Sequence, residues 1–187
     1  LIKLHKLLKI PEIFRMLVVN KTGMSLLIFT ILLITFTGCN SPAEPAIDFE
    51  LSLLQYNDNI GSSDLRFHND LNGHPVIINF WYPSCPPCRE EIDILEATYK
   101  KYKNQGLVIV GIQSLVLDSI EDGKDFVNEF GITYPVGADI GSDIQLKYKV
   151  IGFPTTFFIN KDHQVIRKWS GLLDNEQLQE FALEILE

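Results

Sequence analysis

An apolar run, Val76-Ile77-Ile78-Asn79-Phe80-Trp81, is followed within a few residues by Cys85-Pro86-Pro87-Cys88, which opens a stretch of helical periodicity. The run is near-continuous and rich in β-branched residues, the pattern of a strand buried on both faces. A strand of that kind needs a sheet on either side of it and helices above and below. Two cysteines at this spacing, at a strand-to-helix junction, can close a small disulfide ring and reopen it. That marks a redox centre. As a structural bridge the pair would contribute little, since so short a loop removes little chain entropy.

The rest of the chain alternates strand and helix signals. Asp48 to Leu54 reads as a strand, followed by the turn-rich segment 56–61. Residues 87–104 form the strongest helix signal, with Ile92, Leu95, Tyr99 and Tyr102 on one apolar face. Glu90, Glu91, Asp93 and Glu96 load its first half and Lys100, Lys101 and Lys103 its last turns, an order that complements the helix dipole. Gly106 stops it, and Leu107 to Ile112 reads as the next buried strand. Ser119-Ile120-Glu121-Asp122 resembles a capping box that opens a helix through Phe130, ended by Gly131. Tyr134-Pro135-Val136 is expected to be a short edge segment and Ser142 to Tyr148 a short helix. Thr155–Ile159 and Gln164–Trp169 are strands joined by a tight polar turn, hence antiparallel. A last helix, 174–186, buries Leu178, Phe181 and Ile185. The expected fold is α/β, a mixed central sheet flanked by helices on both faces.

The first 38 residues have a different character. Lys3, Lys6, Lys9, Arg15 and Lys21 precede the apolar stretch Ser25–Phe36, which ends in Thr37-Gly38-Cys39. Its apolar core is about a dozen residues, shorter than the roughly 20 of a spanning helix. A basic head, a short apolar middle and a small-residue end read as an export signal. Phe36-Thr37-Gly38-Cys39 is similar to a lipobox, so residues 1–38 are expected to be a lipoprotein-type signal peptide, with Cys39 lipidated and 39–46 a tether. An uncleaved helical anchor is the alternative. Either way residues 47–187 form one domain outside the cytoplasm, against a bacterial membrane. Without 1–38, which hold five Lys/Arg and the single acid Glu12, the chain keeps 11 basic and 23 acidic residues, a net charge of −12. Such a balance argues against a nucleic-acid partner and leaves the lipid as the membrane attachment.

Within the expected frame Cys85 stands at the N-terminus of a helix, where free amides and the dipole favour a thiolate. Cys88, one turn in, is expected to be more covered and to act as the resolving thiol. Pro87 suits a first turn, and Pro86 removes a donor near the Cys85 sulfur. Zinc would need more ligands than this pair, and the domain has no second cysteine pair. No metal or dissociable cofactor is expected; the Cys85–Cys88 disulfide is itself the redox group. A copper-handling chaperone would use more widely spaced cysteines and a nearby His. A peroxidase would set its cysteine in a Pro-x-x-x-Thr-x-x-Cys context, which is absent around Cys85.

Residues Asn79 to Glu91, with Gly152-Phe153-Pro154-Thr155-Thr156-Phe157 downstream, resemble the TlpA/ResA-like family of thioredoxin-fold thiol-disulfide oxidoreductases. The resemblance covers about residues 47–187. It implies a thioredoxin-like fold with an N-terminal strand extension and a central insert at about 113–135. It also implies a cis Pro154 facing the cysteine pair, with Phe153, Pro154 and Trp81 contacting substrate. Glu91, three residues after Cys88 and on its helix face, is the implied proton acceptor for that thiol. Asn79 stands where thioredoxin itself carries an Asp, and Ser84 where this family usually has Trp. The activity implied is that of a dithiol reductant of disulfides in exported proteins, such as apocytochrome c, supplied with electrons by a membrane thiol carrier. An oxidase or isomerase with the same pair, and a non-catalytic binding module, are the alternatives. The acidic first turn and Pro86 are read as raising the thiol pKa and favouring a reductant.

Overall fold

A computed structural model of the chain describes residues 44–57 and 61–187. Residues 1–38, read above as a signal peptide, Cys39 and residues 40–43 of the segment read as a tether, and residues 58–60 of the expected turn, lie outside the described residues. Among the described residues no helix is long and apolar enough to cross a membrane.

The strands are β1 (Glu44–Pro45), β2 (Glu50–Asn57), β3 (Ser62–Arg66), β4 (Val76–Trp81), β5 (Val108–Ser114), β6 (Val136–Asp139), β7 (Thr155–Ile159) and β8 (Gln164–Ser170). The helices are α1 (Phe67–Asp70), α2 (Pro86–Tyr102), α3 (Ile120–Phe130), α4 (Asp143–Lys147) and α5 (Asn175–Leu186). One mixed sheet runs in the order β1-β8-β7-β4-β5-β6-β2-β3. β4 lies inside it, parallel to β5 and antiparallel to β7, and every residue of β4 is buried. Its side chains alternate between two cores. Ile77 and Trp81 join Ile92, Leu95, Phe126, Leu178 and Phe181 on the face covered by α2, α3 and α5. Val76, Ile78 and Phe80 join Phe67, Ile144, Tyr148 and Phe157 on the face of α1 and α4. The architecture is the thioredoxin-like fold expected, with helices on both faces.

Local chemistry sets the element ends as the sequence indicates. Ser119 caps α3 with a capping box closed by Asp122, and Asp174 with Gln177 does the same for α5. After α2 the chain tightens through a 3-10 turn, Lys103–Gln105, and leaves through Gly106 at φ 96°, a conformation a side chain would oppose.

Three features differ from the sequence reading. β6 is no edge: it pairs with β5 on one side and β2 on the other, and all four residues are buried. Pro135 suggested an edge because it lacks a donor, yet it precedes the strand, and its carbonyl accepts the Gly111 N–H at 2.8 Å. β3 and α1 were not expected, because Ser62–Arg66 is polar except for buried Leu65 and is a strand through its pairing with β2. Finally, Glu44–Pro45 pairs with β8 and the Ala46 N–H donates to His163, so the last residues of the segment read as tether belong to the sheet.

The sheet's two outer strands are thus a two-residue piece containing Pro45 and a strand bearing exposed Asp64 and Arg66. Inside, Gly137 lets β2 approach β6: a Cβ there would meet the Leu51 side chain and the Ser52 carbonyl. Gly137→Ala is therefore expected to destabilise the fold by about 1–3 kcal/mol in chemical denaturation. A loss well under that range would mean that β2 is not held tightly against β6.

Candidate active site

β4 delivers the chain to the redox motif. Past Trp81, the Cys85 N–H donates to the Tyr82 carbonyl at 3.1 Å, and Cys85 then serves as N-cap of α2 with extended backbone (φ −81°, ψ 109°). Pro86 and Pro87 fill the first two helical positions, where no amide hydrogen is needed. The first free helical amide, that of Cys88, points at the Cys85 sulfur at 3.3 Å. The two cysteines form a disulfide with Cα atoms 5.3 Å apart. The cover expected for Cys88 alone extends to both: Cys85 is 1 % exposed and Cys88 0 %. Bonded to each other, both side chains turn into the core shared by α2 and β4, with half-buried Tyr82 and Phe153 packed against it. Those two rings meet edge-to-face at 5.2 Å.

Phe153-Pro154 is a cis peptide. Pro154 is buried and its carbonyl accepts the Gly171 N–H at 2.8 Å, while the Thr155 hydroxyl donates to the Gly152 carbonyl. Just upstream, Ile151 is fully exposed. Phe153 and the cysteine pair therefore share one cluster, and the loop carrying Phe153 reaches solvent beside it.

Glu91 is 1 % exposed, on the same helix as Cys88 and three residues on. Its carboxylate accepts from Asn79 Nδ2 at 2.7 Å and from the Leu173 N–H at 3.2 Å. Asn79 also donates to Thr156 Oγ1 at 3.0 Å, which links β4, α2, β7 and the loop before α5. Burial pushes the Glu91 carboxyl up to about 7, against the two hydrogen bonds that favour its charge. A carboxyl poised there can take a proton from a neighbouring thiol at neutral pH.

Two site expectations need correction. Trp81 does not line a substrate surface: it is 0 % exposed and stacks on Phe126 at 4.4 Å. Strand alternation turns it to the helix-covered face with Ile77 and Asn79, under α3. The other is the acidic first turn of α2, although Glu90 and Asp93 stay exposed further along it. Glu91 and Glu96 are buried, Glu96 bonded to the Thr133 N–H and hydroxyl and paired with Lys100. The first turn holds no acid and carries Arg89, so the argument from an acidic first turn falls. Arg89 donates to the Pro83 carbonyl and pairs with Glu129. Arg89, Thr156, the Leu173 amide and Asp118, which accepts from Ser84, were not singled out from the sequence. Their partners lie up to 82 positions away; the motif singled out Asn79 and Glu91 separately, and the bond between them is seen only in the structure. Cys39 lies outside the described residues.

The Glu91 environment fixes a pH dependence. Its carboxyl holds a proton up to about 7 when folded and releases it near 4.5, its ordinary value, when unfolded. Between those values the folded state binds more protons, so stability is full below about 4.5, falls as pH rises, and reaches its floor above about 7. The total loss is on the order of 3 kcal/mol. Denaturation midpoints of the oxidised protein across this window should slope downward, and Glu91→Gln should remove most of the slope.

Residues 42–168 match the AhpC/TSA family. The ResA thiol-disulfide oxidoreductase of Oceanobacillus iheyensis is 31 % identical over 143 residues, covering 76 % of this chain and 71 % of that protein. The ResA of Bacillus thuringiensis is 36 % identical over 116 residues, 62 % of this chain and 66 % of the relative, just under two thirds of its length. Among solved structures, a thiol:disulfide interchange protein of the thioredoxin family from Chlorobium tepidum superposes with a TM-score of 0.68 at 23 % identity, over 80 % of this chain and all of that one. StoA from Bacillus subtilis gives 0.61 at 25 %, over 75 % of this chain and 98 % of its own. With the fold, the paired cysteines and these relatives in agreement, the chain belongs to the AhpC/TSA family, among the thioredoxin-fold relatives of the thiol-disulfide oxidoreductase ResA.

Proposed function

We propose that the protein is a thiol-disulfide oxidoreductase, anchored outside the cytoplasm through lipid on Cys39, that reduces disulfides in exported proteins. The observation that carries the reading is the Cys85–Cys88 disulfide at the start of α2, in one cluster with Phe153 of the cis-Pro154 loop and on the helix that bears buried Glu91. The pair is its own redox group, and no metal or dissociable cofactor enters the reaction.

In the reduced protein the Cys85 thiolate attacks a substrate disulfide. A Cys85–substrate S–S bond forms, the substrate S–S bond breaks, and one substrate sulfur leaves to take up a proton. Cys88 then gives its proton to the Glu91 carboxylate and attacks Cys85 Sγ. This releases the second substrate thiol and leaves the Cys85–Cys88 disulfide, two electrons having passed to the substrate. The exposed backbone before cis-Pro154 suits an extended substrate segment, as strand addition requires. Apocytochrome c cysteines are the substrate class in view, and a membrane thiol carrier the electron source. The export-type segment and lipobox-like Phe36-Thr37-Gly38-Cys39 support the location.

The direction of transfer rests on Glu91, whose ionised form disfavours a second anion beside it and so favours the disulfide. Arg89 in the first turn and the Cys88 amide on Cys85 Sγ act the other way, and these favour the oxidase reading. A reduction potential near that of thioredoxin, about −270 mV, would support the reductant, and one near about −120 mV the oxidase. In a disulfide-reduction assay Cys85→Ser is expected to lose activity by on the order of a hundredfold or more. Cys88→Ser should accumulate Cys85 mixed disulfides with exported proteins, identifiable by mass spectrometry. Unchanged turnover in Cys85→Ser would leave only a binding module.

A further inference from the structure

The segment between β5 and α3 grips the redox motif from outside. Asp118 Oδ2 accepts both the Ser84 N–H at 3.1 Å and the Ser84 hydroxyl at 2.8 Å. Ser84 is the residue directly before Cys85. Next to it, the Pro83 carbonyl accepts from Arg89, whose guanidinium pairs with Glu129 and lies over the Phe126 and Phe130 rings at 5.2 and 4.9 Å. Both residues that lead into the cysteine are therefore held by the α3 segment or by a side chain docked on it.

These contacts differ in charge. Arg89 is matched by Glu129, whereas among the described residues no salt bridge joins Asp118 to a cation. Ser84 is exposed, so no buried polar group requires the Asp118 bond. What the bond does is hold an unmatched carboxylate one residue from Cys85. Other charged groups close in sequence to the pair are Arg89, paired with Glu129, exposed Glu90 and buried Glu91.

We propose that Asp118 is a positioning residue of the redox couple: bound to Ser84, it keeps a negative charge beside Cys85 and thereby favours the disulfide over the dithiol. A fixed anion next to a thiol opposes the thiolate, and a couple whose thiolate is disfavoured is the stronger reductant. This inference rests on the thiol–disulfide reading above and goes beyond the cysteines and Glu91.

The test is equilibration of the full domain with glutathione. Two glutathione thiols give two electrons and two protons to the Cys85–Cys88 disulfide, yielding the dithiol and one glutathione disulfide. Measured above the Cys85 thiol pKa, Asp118→Asn is expected to raise that equilibrium constant roughly three- to tenfold and to lower the thiol pKa by about half a unit to one unit, read from thiolate ultraviolet absorbance. Asp118→Glu, which keeps the charge, should stay within about twofold of the parent. Melting temperatures of all three serve as control, since a merely structural bond would shift melting and leave the equilibrium constant in place. An unchanged constant in Asp118→Asn, or an equal shift in Asp118→Glu, overturns the proposal while a parent that exchanges keeps the oxidoreductase reading. A parent that fails to exchange with glutathione overturns both.

Discussion

The amide of Asn79 sits where three elements must agree. It lies on β4, the strand buried on both faces, and its two N–H bonds go to Glu91 on α2 and Thr156 on β7. In a dry core such bonds are strongly directional, and leaving a partner unpaired costs about 1–3 kcal/mol. The link therefore fixes how α2 rests on the sheet and how β7 lies beside β4. The cysteines begin α2 and the cis-proline precedes β7, so the spacing between the two halves of the site follows from this one side chain. Aspartate at the same position would face the Glu91 carboxylate across a 2.7 Å bond, which makes the amide the chemistry this core demands.

The charges near the cysteines fall into two kinds. Glu91 is buried, bonded on both oxygens and raised to about 7, so its protonation is set by desolvation and is weakly sensitive to salt. Arg89, Glu129 and Asp118 lie at the surface, where screening trims each effect. Under the proposed mechanism the buried group would handle the proton, while the surface groups would adjust the potential.

The fold and the cysteine pair were readable in the sequence because their signals are local. β-branched runs, capping boxes and Gly106 state their conformations within a few residues, and the Cys85–Cys88 spacing states its chemistry within one turn. The failures share the opposite cause. Trp81 was misplaced because its cover, Phe126, comes from a helix 45 positions on, and nothing near Glu96 announced that the loop holding Thr133 would close over it. β6 looked like an edge because the strand that covers it, β2, comes more than 80 positions earlier. β3 carries no pattern of its own and is a strand only through its neighbour.

The two ends of the sheet have a bearing on the company the protein keeps. A proline-containing two-residue strand closes one side, and a short strand with exposed Asp64 and Arg66 closes the other. Both devices discourage a foreign strand from adding to a sheet. Under the proposed function, the protein would meet the extended segments of its disulfide-bearing substrates at the cis-Pro154 loop. With its flanks guarded in this way, the sheet offers such a segment no open edge at either end on which further strands could stack.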